Sequence, residues 1–235
     1  MSAPARPTPR PSAAVDERGE RVARSAYPTG NALRRALLTL RVEGPKSFWF
    51  KLLGECGYRR LLLVERSLDQ PVADFTPRLP VDVAMLAQSE VDDYLVFRPG
   101  TTRRDIAGRL RSGEMCFVAR HQGKIVAGVW VAVQPVWVSF LGCRIEVEAG
   151  EAHIYDKFTA PAYRGYGIAN AVRTFHLRHL RRAGFRRATG AVLPENVSSL
   201  RDDFRGGFRV YGMLGRVKVG RWQRVFLMPP PCDRG

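Results

Sequence analysis

Two apolar runs separated by Gln122-Gly123 set the strongest limit on what this chain can fold into. Cys116 to Arg120 is short and mostly apolar, and Ile125 to Val133 is rich in valine. A two-residue glycine-containing turn between such runs joins neighbouring antiparallel strands, so the pair predicts a β-hairpin. The second arm has no polar alternation, which predicts a strand covered on both faces. Within the uncharged stretch containing it, the 17 residues from Ile125 to Leu141 are interrupted by Gln134 and Pro135. Its valine content suits strands better than a spanning helix, so no membrane span is expected.

The elements around the hairpin follow from the same periodicities. Asn31 to Val42 and Ser47 to Cys56 read as short helices, and Tyr58 to Leu68 reads as a strand. Val81 to Phe97 reads as a strand or turn and then a helix ending before Pro99, and Thr101 to Arg111 as a helix closed by Gly113. Val136 to Val147 and His153 to Thr159 read as two further strands joined at Ala149-Gly150. A long helix follows, then a strand at Arg187 to Leu193, a helix after Asn196, and terminal strands near Phe208 to Met213 and Trp222 to Leu227. The order β-β-β-β-α-β-α-β predicts a mixed α/β fold whose central sheet is mostly antiparallel, with one late parallel βαβ step and helices on both faces. A functional site is expected beside that late step. Residues 1–30, rich in Pro, Ala and Arg, read as a disordered basic tail, 31–80 as an N-terminal extension of helices and a strand, and 81–228 as the main domain.

Charge decides which partners to consider. Lys plus Arg number 38 against 22 for Asp plus Glu, giving a formal net charge of +16. This points to a polyphosphate ligand, nucleic acid or an anionic membrane. The four cysteines (Cys56, Cys116, Cys143, Cys232) form no C-x-x-C pair, so neither a disulfide framework nor a zinc module is expected. The first 30 residues lack a continuous apolar core and carry Asp16, Glu17 and Glu20, which argues against a leader of either the secretory or organellar kind and for a cytoplasmic location.

The chemistry concentrates at Thr159 to Ala169 (TAPAYRGYGIA), where a strand end runs through a proline and a glycine-containing turn into a helix. Such a turn offers free backbone N–H groups and the positive helix end to an anion. A purely structural strand-to-helix turn uses the same residues. From Lys157 to Pro194 there are seven arginines, one lysine and no acidic residue, which favours a polyanion nearby.

Arg164-Gly165-Tyr166-Gly167-Ile168-Ala169 resembles the R/Q-x-x-G-x-G/A acyl-CoA signature of the GNAT acetyltransferase superfamily, and Thr159-x-Pro161 resembles the V-x-P that precedes it. Asn196, Ser199, Gly207 and Phe208 resemble the family's N-x-x-(A/S) helix start and closing G-F. The resemblance covers about Cys116 to Phe226. It implies a GNAT-like fold, acetyl-CoA as co-substrate and acyl transfer to an amine by direct attack. It also implies that Arg164, Gly165, Tyr166, Gly167, Ile168 and Ala169 hold the CoA pyrophosphate through their backbone. By the same resemblance Lys157, Phe158 and Thr159 pair with the pantetheine arm, and Asn196 and Ser199 lie near the thiol.

For the proton removed from the amine, the family's glutamate position is taken here by His153, which could act as a base near neutral pH or be a hydrogen-bonded strand histidine. Tyr155, Asp156 and Glu151 are its rivals. The family's tyrosine acid is replaced by Asp203, leaving Tyr211 or water as the candidate proton donor. In the helix after the turn, Ile168, Val172, Phe175, Leu180 and Ala183 share an arc, and His176 and His179 fall within it as interface histidines rather than a metal pair. The competing reading is a nucleic-acid-binding or acyl-CoA-sensing protein on the same scaffold without turnover. The acceptor and the oligomeric state are not encoded in any motif.

Overall fold

The computed structural model describes residues 57–219 and 221–229. The tail at 1–30 and the two helices expected between Asn31 and Cys56 lie outside the described residues. In chain order the elements are β1 (Tyr58–Ser67), β2 (Asp82–Met85), α1 (Val91–Phe97), α2 (Arg103–Arg111), β3 (Met115–His121), β4 (Lys124–Ala132), β5 (Val136–Val138), β6 (Cys143–Ile145), β7 (Glu151–Thr159), α3 (Ile168–Arg182), β8 (Arg187–Val192), α4 (Val197–Arg205), β9 (Arg209–Val219) and β10 (Trp222–Met228). Eight strands form one sheet in the order β10-β9-β1-β8-β7-β4-β3-β2. Every pairing is antiparallel except β7 with β8, so the fold is the expected mixed, mostly antiparallel sheet with a late βαβ step.

Local chemistry explains the elements. Gln122 and Gly123 both have positive φ (50° and 76°), the two-residue turn whose twist matches the β3–β4 hairpin. All of β4 after Lys124 is buried, because helices cover both faces. On one face Phe117, Val126, Val129, Val131 and Ile154 pack with Ile168, Val172, Leu177 and Leu180 of α3. On the other, Cys116, Val118, Ile125 and Trp130 pack with Tyr94 of α1 and Ile106 of α2. Thr102 caps α2 in a reciprocal box with Asp105, satisfying two amides that the helix start leaves unpaired.

One feature departs from the sequence reading. Val136 to Val147 is not one strand of the sheet. It is a separate two-stranded hairpin in which Val136–Val138 pairs with Cys143–Ile145, because Gly142 at φ 62° reverses the chain and Leu141 is drawn into full burial. The strand read at 58–68 lies inside the sheet, between β8 and β9. Leu61, Leu63 and Val64 are buried there.

Candidate active site

The site grows out of the place where β7 and β8 part. Their parallel pairing runs from Glu151↔Arg187 to Ile154↔Gly190 and stops. β7 continues to Thr159 with only β4 beside it, so its other edge is open to an extended chain. A bulge marks the change. The β4–β7 register shifts between Gly128 and Trp130, and Asp156 takes φ 47°, unusual for a residue with a side chain. Its carboxylate accepts from Arg98 Nη2 at 2.7 Å and from Arg109 Nη1 at 3.0 Å. Burial pushes this acid upward, but the two guanidinium groups outweigh it and hold its pKa below the ordinary value.

From Thr159 the chain passes through a single 3-10 turn at Pro161–Tyr163 into α3. The Arg164 side chain folds back to donate to the Thr159 carbonyl at 3.1 Å. Gly165 (φ 83°) presents a face against which an added Cβ would meet nothing within 4 Å. Gly167 (φ 80°) is the N-cap of α3 and offers no side-chain cap, and the first turn carries no acidic residue. The positive helix end is therefore left for an external anion. Gly167 has a second reason to be glycine. A Cβ there would lie 2.8 Å from the Phe75 ring, since the segment leading to β2 crosses this turn and Arg78 N–H donates to the Tyr166 carbonyl at 2.9 Å. Phe75 and Arg78 carry no recognisable motif, and sequence reading missed both.

Of the residues expected to hold the cofactor, those from Lys157 to Ala169 follow one another along the chain, and Asn196 and Ser199 lie apart at the start of α4. Lys157, Phe158 and Thr159 lie on the open edge of β7, and Arg164 to Ala169 form the turn and the start of α3. Phe158 is fixed by Phe97 (ring centroids 5.3 Å apart) and by the Arg98 guanidinium 4.5 Å from its ring centre. Asn196 begins α4 as its N-cap, accepting from the Ser199 N–H at 3.2 Å and the Ser198 hydroxyl at 2.9 Å.

The four catalytic candidates do not come together. His153 lies in the closed part of the β7–β8 pair, only 2% exposed, with Nδ1 3.0 Å from Thr189 Oγ1. Burial pushes its pKa down to about 4. That is the setting of a neutral core imidazole, and the expectation of a base poised near neutrality is corrected accordingly. Glu151 is buried against Arg187. Asp156 is committed to its two arginines. Tyr211 is on β9, three strands from β7 and so about 14 Å away, with the Arg187 guanidinium over its ring and burial raising its pKa. It is not within reach of the opening.

Tyr155 stands where the strands part, beside Asp156. Its hydroxyl donates to Glu114 Oε2 and the Arg109 guanidinium sits 5.2 Å from its ring centre. Burial raises its pKa, with Arg109 acting in the opposite sense. Arg98, Arg109 and Glu114, also missed from sequence, meet Tyr155 and Asp156 only because α1, α2 and the start of β3 pack on this end of β7. In α3, His176 is buried, its pKa pushed down to about 3 by that burial, and among the described residues no cluster of three or more potential metal ligands occurs.

An open strand edge thus leads into a glycine turn and an uncapped helix start. The model of the acetyltransferase (GNAT) family matches residues 83–201, about half of the chain, and the chain belongs to that family. Among solved structures it is similar to a protein classed as an acetyltransferase from the GNAT family of Novosphingobium aromaticivorans (18% identity over 74% of this chain and 69% of that one, TM-score 0.49). It is also similar to GCN5-related N-acetyltransferases from Sphaerobacter thermophilus (18% identity, 80% and 58% covered, TM-score 0.49) and from Kribbella flavida (17%, 77% and 63%, TM-score 0.47). The chain thus spans between 58% and 69% of these three proteins' own lengths. No curated protein matches the sequence. No helix among the described residues is long and apolar enough to cross a membrane.

Proposed function

We propose that this protein is an acyl-CoA-dependent N-acyltransferase that moves an acetyl group from acetyl-CoA to an amine by direct attack. The observation that carries this reading is the unpaired edge of β7 beyond Ile154, continuous with the open turn at Gly165 and the uncapped start of α3. An extended pantetheine arm would pair with the backbone of Lys157 and Thr159 as an added strand, and the diphosphate would sit on the amides from Gly165 to Ala169. The amine would approach from the α1–α2 side, where Tyr155 faces the fork. There Tyr155, bonded to Glu114, is the candidate to pass on the proton released as the new C–N bond forms.

Thermal unfolding with and without acetyl-CoA, at low and high salt, tests this reading. A ligand at about one hundred times its dissociation constant adds roughly 2.7 kcal/mol. Stabilisation that persists at high salt is expected. The same assay with a short oligonucleotide separates the alternative, since binding to nucleic acid would weaken steeply with salt. A shift with the oligonucleotide and none with acetyl-CoA would overturn the acyltransferase reading.

A further inference from the structure

The opening beside β7 is crossed by one ion pair. Lys157 lies midway along the open edge, and its Nζ donates to Oδ1 of Asp203 on α4. Asp203 is buried to 3% exposure, and its other oxygen, Oδ2, has no hydrogen-bond partner. The Lys157 side chain is 39% exposed, so its ammonium is held from one side and reachable from the other. Helix α4 joins the same core as α3 through Leu200, and Arg173 of α3 pairs with Asp202 at 2.7 Å. The charged groups around the lysine are therefore Asp203 and Asp202 on α4 and Arg173 on α3, with the buried His176 behind them. Burial raises the pKa of Asp203, and the Lys157 ammonium acts against that rise.

From Thr159 back to Ile154 the open edge is about 17 Å long. A diphosphate at the start of α3 and an amide-bearing arm along this edge bring a thioester to the fork, past the Lys157 side chain. This inference rests on the acyl-CoA reading above. We infer that Lys157 is a catalytic residue whose ammonium receives the leaving thiolate, and that Asp203 is its positioning residue. When the amine attacks, a C–N bond forms, the C–S bond breaks and its electron pair goes to sulfur. The sulfur leaves as a thiolate paired with the Nζ ammonium and is neutralised by the proton that the amine gives up on becoming an amide. An ionised Asp203 alone would oppose a neighbouring thiolate; an Asp203 that fixes an ammonium in front of it favours one.

The test needs no acceptor. CoA is bound to the full-length wild-type protein and to Lys157→Met, and the thiol is titrated by the ultraviolet absorbance of its thiolate. In the wild type the bound thiol should titrate below free CoA. In Lys157→Met it should titrate at least about one pH unit higher than in the wild type, a tenfold change in thiolate fraction, while CoA affinity changes only a few-fold. Lys157→Arg, which keeps the charge, should restore most of the difference. Should Lys157→Met fail to fold, Lys157→Gln carries the comparison. A bound thiol that titrates identically in wild type and neutral variant overturns the assignment of Lys157 and leaves the acyl-CoA reading standing. Failure of the wild type to bind CoA overturns both.

Discussion

At the scale of single residues, burial decides what the ionisable groups can do. His153 is neutral in the fold because its pKa is pushed from 6.5 to about 4. Between those values the unfolded chain binds a proton that the native state refuses, so stability falls as the solution is acidified and is fully present only above about pH 6.5. The displacement is worth about 3 kcal/mol. Urea denaturation of His153→Gln is expected to show a flatter decline than wild type between pH 6.5 and 4, with His176 supplying much of the remaining slope. Equal slopes would mean that His153 is protonated in the native state. The turn from Arg164 to Ala169 was legible in the sequence because its information is local: glycine where φ is positive, and no acid after it. The fate of His153, Asp156 and Tyr211 was not, because it depends on Thr189, Arg98, Arg109 and Arg187, which lie 24 to 58 residues away along the chain.

At the scale of elements, α1 and α2 are tied to the opening by Asp156. Arg98 follows the last turn of α1, Arg109 lies in α2, and both reach the carboxylate at the β7 bulge. Replacing Asp156 by asparagine keeps a residue that tolerates the left-handed backbone and removes only the charge. This should cost about 2 kcal/mol, less than for a fully buried pair because both arginines are partly open to water. Chemical denaturation gives the loss directly, and a value within experimental error of zero would show that the clamp holds nothing. Most elements could be read from periodicity and caps, including the β3–β4 hairpin and the amphipathic α3. The 136–147 segment could not, since its apolar residues fit either one strand or two. The choice falls to the buried Leu141 and to contacts such as the Arg59 guanidinium on the Phe140 carbonyl.

At the scale of the molecule, β1 joins two parts of the sheet. It pairs with β8 on one side and β9 on the other, so β9 and β10 reach the rest of the sheet only through it. Leu61, Leu63 and Val64 each contribute about 2 kcal/mol by burial, a sum comparable with the net stability of a domain. We therefore propose that 58–228 is one folding unit, although the family match begins only at residue 83. A chain lacking residues 1–67 should show no cooperative thermal transition. A sharp transition within a few degrees of the full chain would place the folding unit after β1. The strand itself was legible at Tyr58 to Leu68, but no local pattern could have placed it between β8 and β9, because the order of strands is fixed by contacts between residues far apart in sequence. The same arrangement governs how the protein is made. Tyr58–Ser67 leaves the ribosome long before Arg187–Val192 and Arg209–Val219 exist to receive it. Its LLLV stretch thus waits without its strand partners while all the residues between them are made.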